Sequence, residues 1–133
     1  MKKFLSVSTI LVLLFSLCSC GKYINSYSAI GLVKNQSSHS CYASFLTLKG
    51  RLVFKIKAPN EKSEGDISYS VEAEEGEIRL YYDAFGTKEE LASVKAGESV
   101  TSKGGYVEGG KPVYIIIEAN EKSHGKVSVE LDN

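Results

Sequence analysis

Val113-Tyr114-Ile115-Ile116-Ile117 is apolar at every position, the pattern of a central strand covered on both faces. Around it the period is two. Leu52, Phe54, Ile56 and Ala58 alternate with Arg51, Val53, Lys55 and Lys57. Ile67, Tyr69, Val71 and Ala73 alternate with Ser68, Ser70, Glu72 and Glu74, and Ile78, Leu80, Tyr82 and Ala84 with Arg79, Tyr81 and Asp83. Val127, Val129 and Leu131 alternate with Ser128, Glu130 and Asp132. Each run has one apolar face and one polar face, as half-buried antiparallel strands require. Turn residues fall between the runs at Pro59-Asn60, Glu75-Gly76, Phe85-Gly86, Ala96-Gly97, Gly104-Gly105, Gly109-Gly110 and Ser123-His124-Gly125, a spacing of roughly 8–12 residues. Strands so spaced, without helices between them, predict an all-β fold: an antiparallel β-sandwich, jelly-roll-like, of about seven to nine strands.

Residues 87–96 read two ways. Thr87-Lys88-Glu89-Glu90 fits a capping box, Leu91 and Val94 are three apart, and Gly97 suits a helix C-terminus. Against this, Ala92, Val94 and Ala96 suit one face of a strand. A short isolated helix is marginal and interrupts a meander, so a strand is the expectation. A weak echo relates Val53–Val71 to Val113–Leu131. Asn60-Glu61-Lys62-Ser63-x-Gly65 recurs as Asn120-Glu121-Lys122-Ser123-x-Gly125. The expectation is two hairpins with one loop type, Gly65 and Gly125 taking φ > 0; a binding role for the shared loops is the alternative.

The N-terminus carries the sharpest motif. Met1-Lys2-Lys3 is a short positive segment, and Phe4 to Leu17 is mostly Leu, Val, Ile and Phe. As a helix that run reaches roughly 21 Å, short of the ~30 Å hydrocarbon core, so it reads as the apolar region of a signal peptide. Leu17-Cys18-Ser19-Cys20-Gly21 resembles the lipobox of bacterial lipoproteins. The resemblance implies a diacylglyceryl group on the Cys20 sulfur, cleavage between Ser19 and Cys20, and an amine open to further acylation, a palmitate-type modification. Cys18 is the competing position, with Leu17 where the motif wants a small residue. The expected organisation is a signal peptide over 1–19, lipidated Cys20 with a flexible spacer over 20–28, and a β-sandwich domain over 29–133 that opens with an irregular piece. The expected location is extracytoplasmic, anchored to the bacterial cell membrane by lipid. Two acyl chains hold a protein to a bilayer without an amphipathic helix or a basic patch.

The precursor has 16 basic and 16 acidic residues. Losing Lys2 and Lys3 leaves 14 basic against 16 acidic groups, a balance that argues against nucleic acid as a partner. Cys41 is the remaining thiol once Cys18 is cleaved off and Cys20 acylated, so no intrachain disulfide forms. It reads as a small buried hydrophobe, with a free or catalytic thiol as the rival. His39 and His124 are the histidines, and no Gly-x-Ser-x-Gly, His-Glu-x-x-His or Walker-type loop occurs. Gly104 to Lys111 reads as a turn-rich loop, not a phosphate cradle. Glu72, Glu74, Glu75, Glu77 and Asp83 read as a solvated acidic face, not a cation site. No catalytic residue, metal site or small-molecule cofactor is assigned.

The chain has 8 Tyr and no Trp. With Tyr82 in the core, Tyr81 faces outward, and Tyr106 lies in the Gly-rich stretch. Exposed Tyr offers a rigid amphipathic contact, so Tyr81, Tyr106, Asn60 and Asn120 are the candidate binding residues, for a protein or a glycan. The runs Phe45-Leu46-Thr47-Leu48-Lys49-Gly50, Leu80-Tyr81-Tyr82-Asp83, Val113 to Glu118 and Gly125-Lys126-Val127-Ser128-Val129 resemble small β-sandwich lipoproteins of bacteria, a likeness that implies a fold and no active site. The expected function is a binding or structural module at the cell envelope. An accessory subunit or inhibitor of another envelope protein is the alternative, and a hydrolase is the reading least supported.

Overall fold

Residues 23–133 are described by a computed structural model. Its eight strands are β1 (Ser26–Ile30), β2 (Val33–Gln36), β3 (Ser40–Lys57), β4 (Glu64–Glu75), β5 (Glu77–Asp83), β6 (Glu89–Lys95), β7 (Ser99–Glu108) and β8 (Pro112–Asp132). At 18 and 21 residues, β3 and β8 are too long to lie flat in a domain of this size: a straight strand of 18 residues spans about 60 Å. They pair with each other antiparallel from Ser40↔Glu130 to Lys57↔Pro112, and the register slips between Phe45 and Leu48 and again between Leu48 and Gly50. Such slips bend a strand pair sharply, and here they fold the ribbon over on itself.

Each half of the ribbon seeds one leaf. In leaf one, residues 40–48 and 123–132 of the ribbon are flanked by β2 on one side, then β4 and β7 on the other. In leaf two, residues 50–57 and 112–119 are flanked by β1, then β5 and β6. All pairs are antiparallel, and the chain crosses between leaves after β3, β4, β6 and β7. This is jelly-roll connectivity, with β1 and β2 added at the edges. Main-chain bonds close the seams: Lys57 N donates to Ser38 O at 2.7 Å, Gly97 N to Ala73 O at 2.8 Å and Ala73 N to Glu98 O at 3.1 Å.

The inward positions are those of the period-two pattern. Leu52, Ile67, Val71, Ile78, Leu80, Val113, Ile115 and Ile117 are fully buried in one core with Phe45, Leu48, Phe54 and Leu131. Residues 89–95 form β6, where Ala92 pairs with Leu80 and Val94 is buried. A helix there would forfeit those ladder bonds.

Four sequence expectations are corrected. The echo is not a pair of hairpins: residues 58–63 carry the chain from leaf two to leaf one, whereas Asn120–Gly125 lies within β8 at its bend. Gly65 and Gly125 do not have positive φ. They are glycines because a Cβ would overlap the Asp132 carbonyl at Gly65 and the Glu72 carbonyl at Gly125. Gly104 to Glu108 is strand, not loop, with Gly105 at φ 73° making the bulge opposite Gly65 and Ile67. The stretch read as spacer already contains β1 from Ser26, and Asn25 Oδ1 accepts from Val53 N at 2.7 Å, so backbone pairing reaches back before residue 29.

Ser123 pins the β8 bend. Its hydroxyl shares its one proton between the carbonyls of Glu121 (2.9 Å) and Glu77 (3.2 Å), and accepts from Glu77 N at 3.1 Å. It is 1% exposed, so water cannot replace these partners. Ser123→Ala should lower the urea midpoint with an unchanged m-value, a loss of about 1–3 kcal/mol.

Candidate binding surfaces

The outer face of leaf two is built from the outward positions of β3, β8 and β5. In register across it lie Val53, Ile116 and Tyr81, then Arg51, Glu118 and Arg79. Glu118 accepts from Arg51 Nε at 3.2 Å and Lys88 Nζ at 2.5 Å, and Lys88 stands 4.3 Å above the Tyr81 ring. Tyr81 is thus half-buried beneath a cation rather than open. Ile116 points to this outer face and is nonetheless 0% exposed.

Tyr23 lies on the same face. Its hydroxyl donates to Asp83 Oδ2 at 2.7 Å, its ring meets Tyr114 edge-on at 5.5 Å, and Arg51 sits 6.0 Å from its centroid. Loss of water and the donated bond to Asp83 push its phenol up to about 12. Asp83 does not belong to a solvated acidic face, as its sequence neighbours suggested: it is buried, and its other oxygen accepts from Gly86 N at 2.7 Å. One carboxylate therefore ties the N-terminal segment to the β5–β6 turn.

That turn opens onto one end of the sandwich, where Phe85 is 52% and Tyr106 41% exposed. The two rings stack at 5.6 Å, with Lys111 Nζ 5.8 Å from the Phe85 centroid and paired to Glu108 at 3.0 Å. Asn60 belongs to the same end, where Asn133 binds its backbone on both sides.

The outer face of leaf one has a different chemistry. Tyr42, Ser128, Ser70 and Thr101 form one row across four strands, and Ser40, Glu130, Ser68 and Lys103 the next. The Ser70 and Thr101 hydroxyls are 3.2 Å apart, and Ser68 Oγ donates to Asp132 Oδ2 at 2.5 Å. The small side chains leave an open depression of about 470 Å³ lined by Ser68, Ser70, Thr101, Lys103, Ser128 and Glu130.

The four candidate residues do not share a surface. Tyr106 and Asn60 lie at the end with Phe85, Tyr81 lies on the face of leaf two, and Asn120 lies at the opposite end beside Glu77, Arg79 and Glu118. Tyr23, Phe85 and the hydroxyl rows went unremarked in the sequence reading. An aromatic in the turn dipeptide Phe85-Gly86 was the available signal for one of them. Cys20 lies outside the described residues. Cys41 is buried, and burial pushes its thiol up to about 12. His39 Nδ1 pairs with Ser38 Oγ at 3.1 Å, and His124 Nδ1 lies 3.4 Å from Glu74. Among the described residues no three His, Cys, Asp or Glu side chains converge as metal ligands would.

No model of a known protein family matches the sequence, and no curated protein does. Among solved structures, a family 29 carbohydrate-binding module complexed with mannohexaose aligns at 12% identity over 80% of this chain and 79% of its own, with a TM-score of 0.41. The C-terminal family 6 module of LamC, a laminarinase from Zobellia galactanivorans, aligns at 12% identity over 82% and 94%, TM-score 0.42. The cupin domain of CENP-C from Drosophila melanogaster aligns at 14% identity over 82% and 83%, TM-score 0.29.

Asp83→Ala removes the carboxylate that accepts from both the Tyr23 hydroxyl and Gly86 N, and should cost about 1–3 kcal/mol in a chemical melt. A raised thiol pKa keeps Cys41 protonated in the fold, so the folded state holds its proton between about 9 and about 12 while the unfolded chain loses it. Stability should therefore fall as pH rises through that window, and Cys41→Ala should flatten the fall. Ellman's reagent at neutral pH should react with Cys41 only after denaturation.

Proposed function

We propose that the chain is a lipid-anchored, extracytoplasmic binding module of the bacterial cell envelope, and that it holds a hydroxyl-rich ligand, an envelope glycan, on the outer face of leaf one. The observation that carries the ligand class is the row of hydroxyls from Tyr42 to Thr101, with those of Ser40 and Ser68 in the row beside it. Three strands present serine or threonine side chains side by side, each able both to donate and to accept. Lys103 and Glu130 add a cation and an anion at the border of the depression. A polyhydroxylated ligand meets such a surface with alternating donors and acceptors, and no step in that encounter needs a nucleophile or a base. Tyr23 lies on the outer face of leaf two, on the other side of the sandwich from the leaf-one face.

Anchoring rests on Leu17-Cys18-Ser19-Cys20. A diacylglyceryl group on Cys20 supplies two chains at about 0.8 kcal/mol per buried CH₂, enough for stable residence at a membrane. One specific observation favours a second reading, an accessory subunit docked on another envelope protein. At the end away from Phe85, Ile30, Val33 and Leu46 are 66%, 56% and 60% exposed around the β1–β2 turn. Cross-linking in intact cells from that turn should give one dominant neighbour if the second reading is right.

Two measurements test the proposal. Cys20→Ala should abolish incorporation of radiolabelled fatty acid and release the protein from the membrane fraction; continued labelling would overturn the anchor. On a glycan array the mature protein should retain envelope polysaccharides, and Ser70→Arg, which fills the depression without touching the core, should reduce that retention at least about tenfold, a change of 1.4 kcal/mol. Equal retention by Ser70→Arg would remove the leaf-one face as the site.

A further inference from the structure

We infer that the end of the sandwich bearing Phe85 and Tyr106 rests on the bilayer surface, so that the protein stands on its aromatic end instead of swinging on a leash. The inference rests on the anchor reading above and adds to it an orientation. Three peptide units separate Cys20 from Tyr23, a reach of at most about 11 Å. Tyr23 is not free to wander: Asp83, Tyr114 and the neighbouring Asn25–Val53 bond hold it on leaf two. The acyl chains thus enter the membrane within that reach of a fixed point on the fold.

That fixed point belongs to the aromatic end. The Asp83 carboxylate that accepts from Tyr23 also accepts from Gly86 N, which places Tyr23 beside the turn presenting Phe85. Ile24, next in the chain, is 57% exposed. The other exposed apolar group, around Ile30 and Leu46, lies at the ribbon bend. Ile30 pairs with Thr47, and Lys55 pairs with Tyr114, so the bend is roughly 26 Å further along β3, well beyond the reach of the tether. Of the two apolar ends, the anchor can bring down only the one with Phe85.

The chemistry of that end suits a headgroup layer. Tyr settles at membrane–water interfaces and Phe on the apolar face of segments lying in them, and Lys111 Nζ lies over the Phe85 ring of the stacked pair. Lys111 is balanced by Glu108 and Lys88 by Glu118, and Glu64, Asp66 and Asp132 lie beside Tyr106, so attraction to anionic lipid is not the driving contribution. Contact should therefore occur on neutral and anionic bilayers alike and persist in salt.

The chain has no Trp, which makes single reporters clean. Phe85→Trp, Tyr106→Trp and Leu46→Trp are each prepared as the full lipidated protein and added to vesicles of phosphatidylcholine, alone or with an equal part of phosphatidylglycerol, doped with brominated lipid. Tryptophan at 85 and at 106 should shift to the blue and be quenched at least about twofold, as expected for a side chain at the headgroup–acyl boundary, in both vesicle types and at high salt. Tryptophan at 46 should be unaffected. If the protein sediments with the vesicles yet positions 85 and 106 are no more quenched than 46, the orientation is overturned while the anchor stands. Quenching confined to phosphatidylglycerol vesicles overturns the aromatic basis of the contact. A protein that carries no fatty acid and stays in the supernatant overturns the anchor, and the orientation with it.

Discussion

The paired strands β3 and β8 belong to both leaves at once, and every other strand takes its place from them. Each is long enough to cross the domain twice, so the pair must bend, and its slips at Phe45–Gly50 decide where. The bend costs ladder bonds that Ser123 partly replaces with three hydroxyl contacts of its own. Above and below it, β5 and β4 attach to successive segments of β8. The jelly-roll order follows, because a strand leaving one leaf finds its next open edge on the other. Gly125 marks how tightly this is drawn: the Glu72 carbonyl occupies the space a side chain would need.

A second dependence runs through Asp83. It sits at the last position of β5, where alternation directs it outward, yet it is 2% exposed. A buried carboxylate is tolerated only with donors around it, and here Tyr23 and Gly86 supply them. Those donors come from Tyr23 and the β5–β6 turn, so a local electrostatic requirement holds Tyr23 beside that turn.

The sandwich thereby separates its surfaces by chemistry. Leaf two is cross-braced outside by Arg51, Glu118, Lys88 and Tyr81, contacts that are individually worth little at an exposed site, and Ile116, in register between Val53 and Tyr81, is fully buried on that face. Leaf one carries short hydroxyl side chains that cover nothing and leave a depression. The ends are apolar for different reasons: Phe85 and Tyr106 stack on each other, whereas Ile30 and Leu46 are left exposed where β1 turns into β2 across the bend. The Gly31 turn is packed so closely against Leu46 that a Cβ there would lie 2.8 Å from its side chain, so that end is shaped by the ribbon and not by loop length.

Period-two alternation was legible because burial of one strand face is a local requirement: Leu52, Phe54, Ile56, Ile78, Leu80, Val127 and Val129 could be placed in the core from their spacing alone. The all-β class and the jelly-roll-like sandwich followed from that and from turn spacing. What the pattern could not carry was partnership across the fold. Nothing local to Tyr23 says that a carboxylate sixty positions away will hold it, so the segment read as spacer. Nothing local to Asn60 and Asn120 says that one copy of a repeated motif joins two leaves and the other bends a single strand. The sequence by itself determined which apolar side chains must leave water; the tertiary structure alone decided which polar ones follow them and which surfaces the rest share, because hydrogen-bond and charge partners are chosen by proximity in space, and alternation is blind to it.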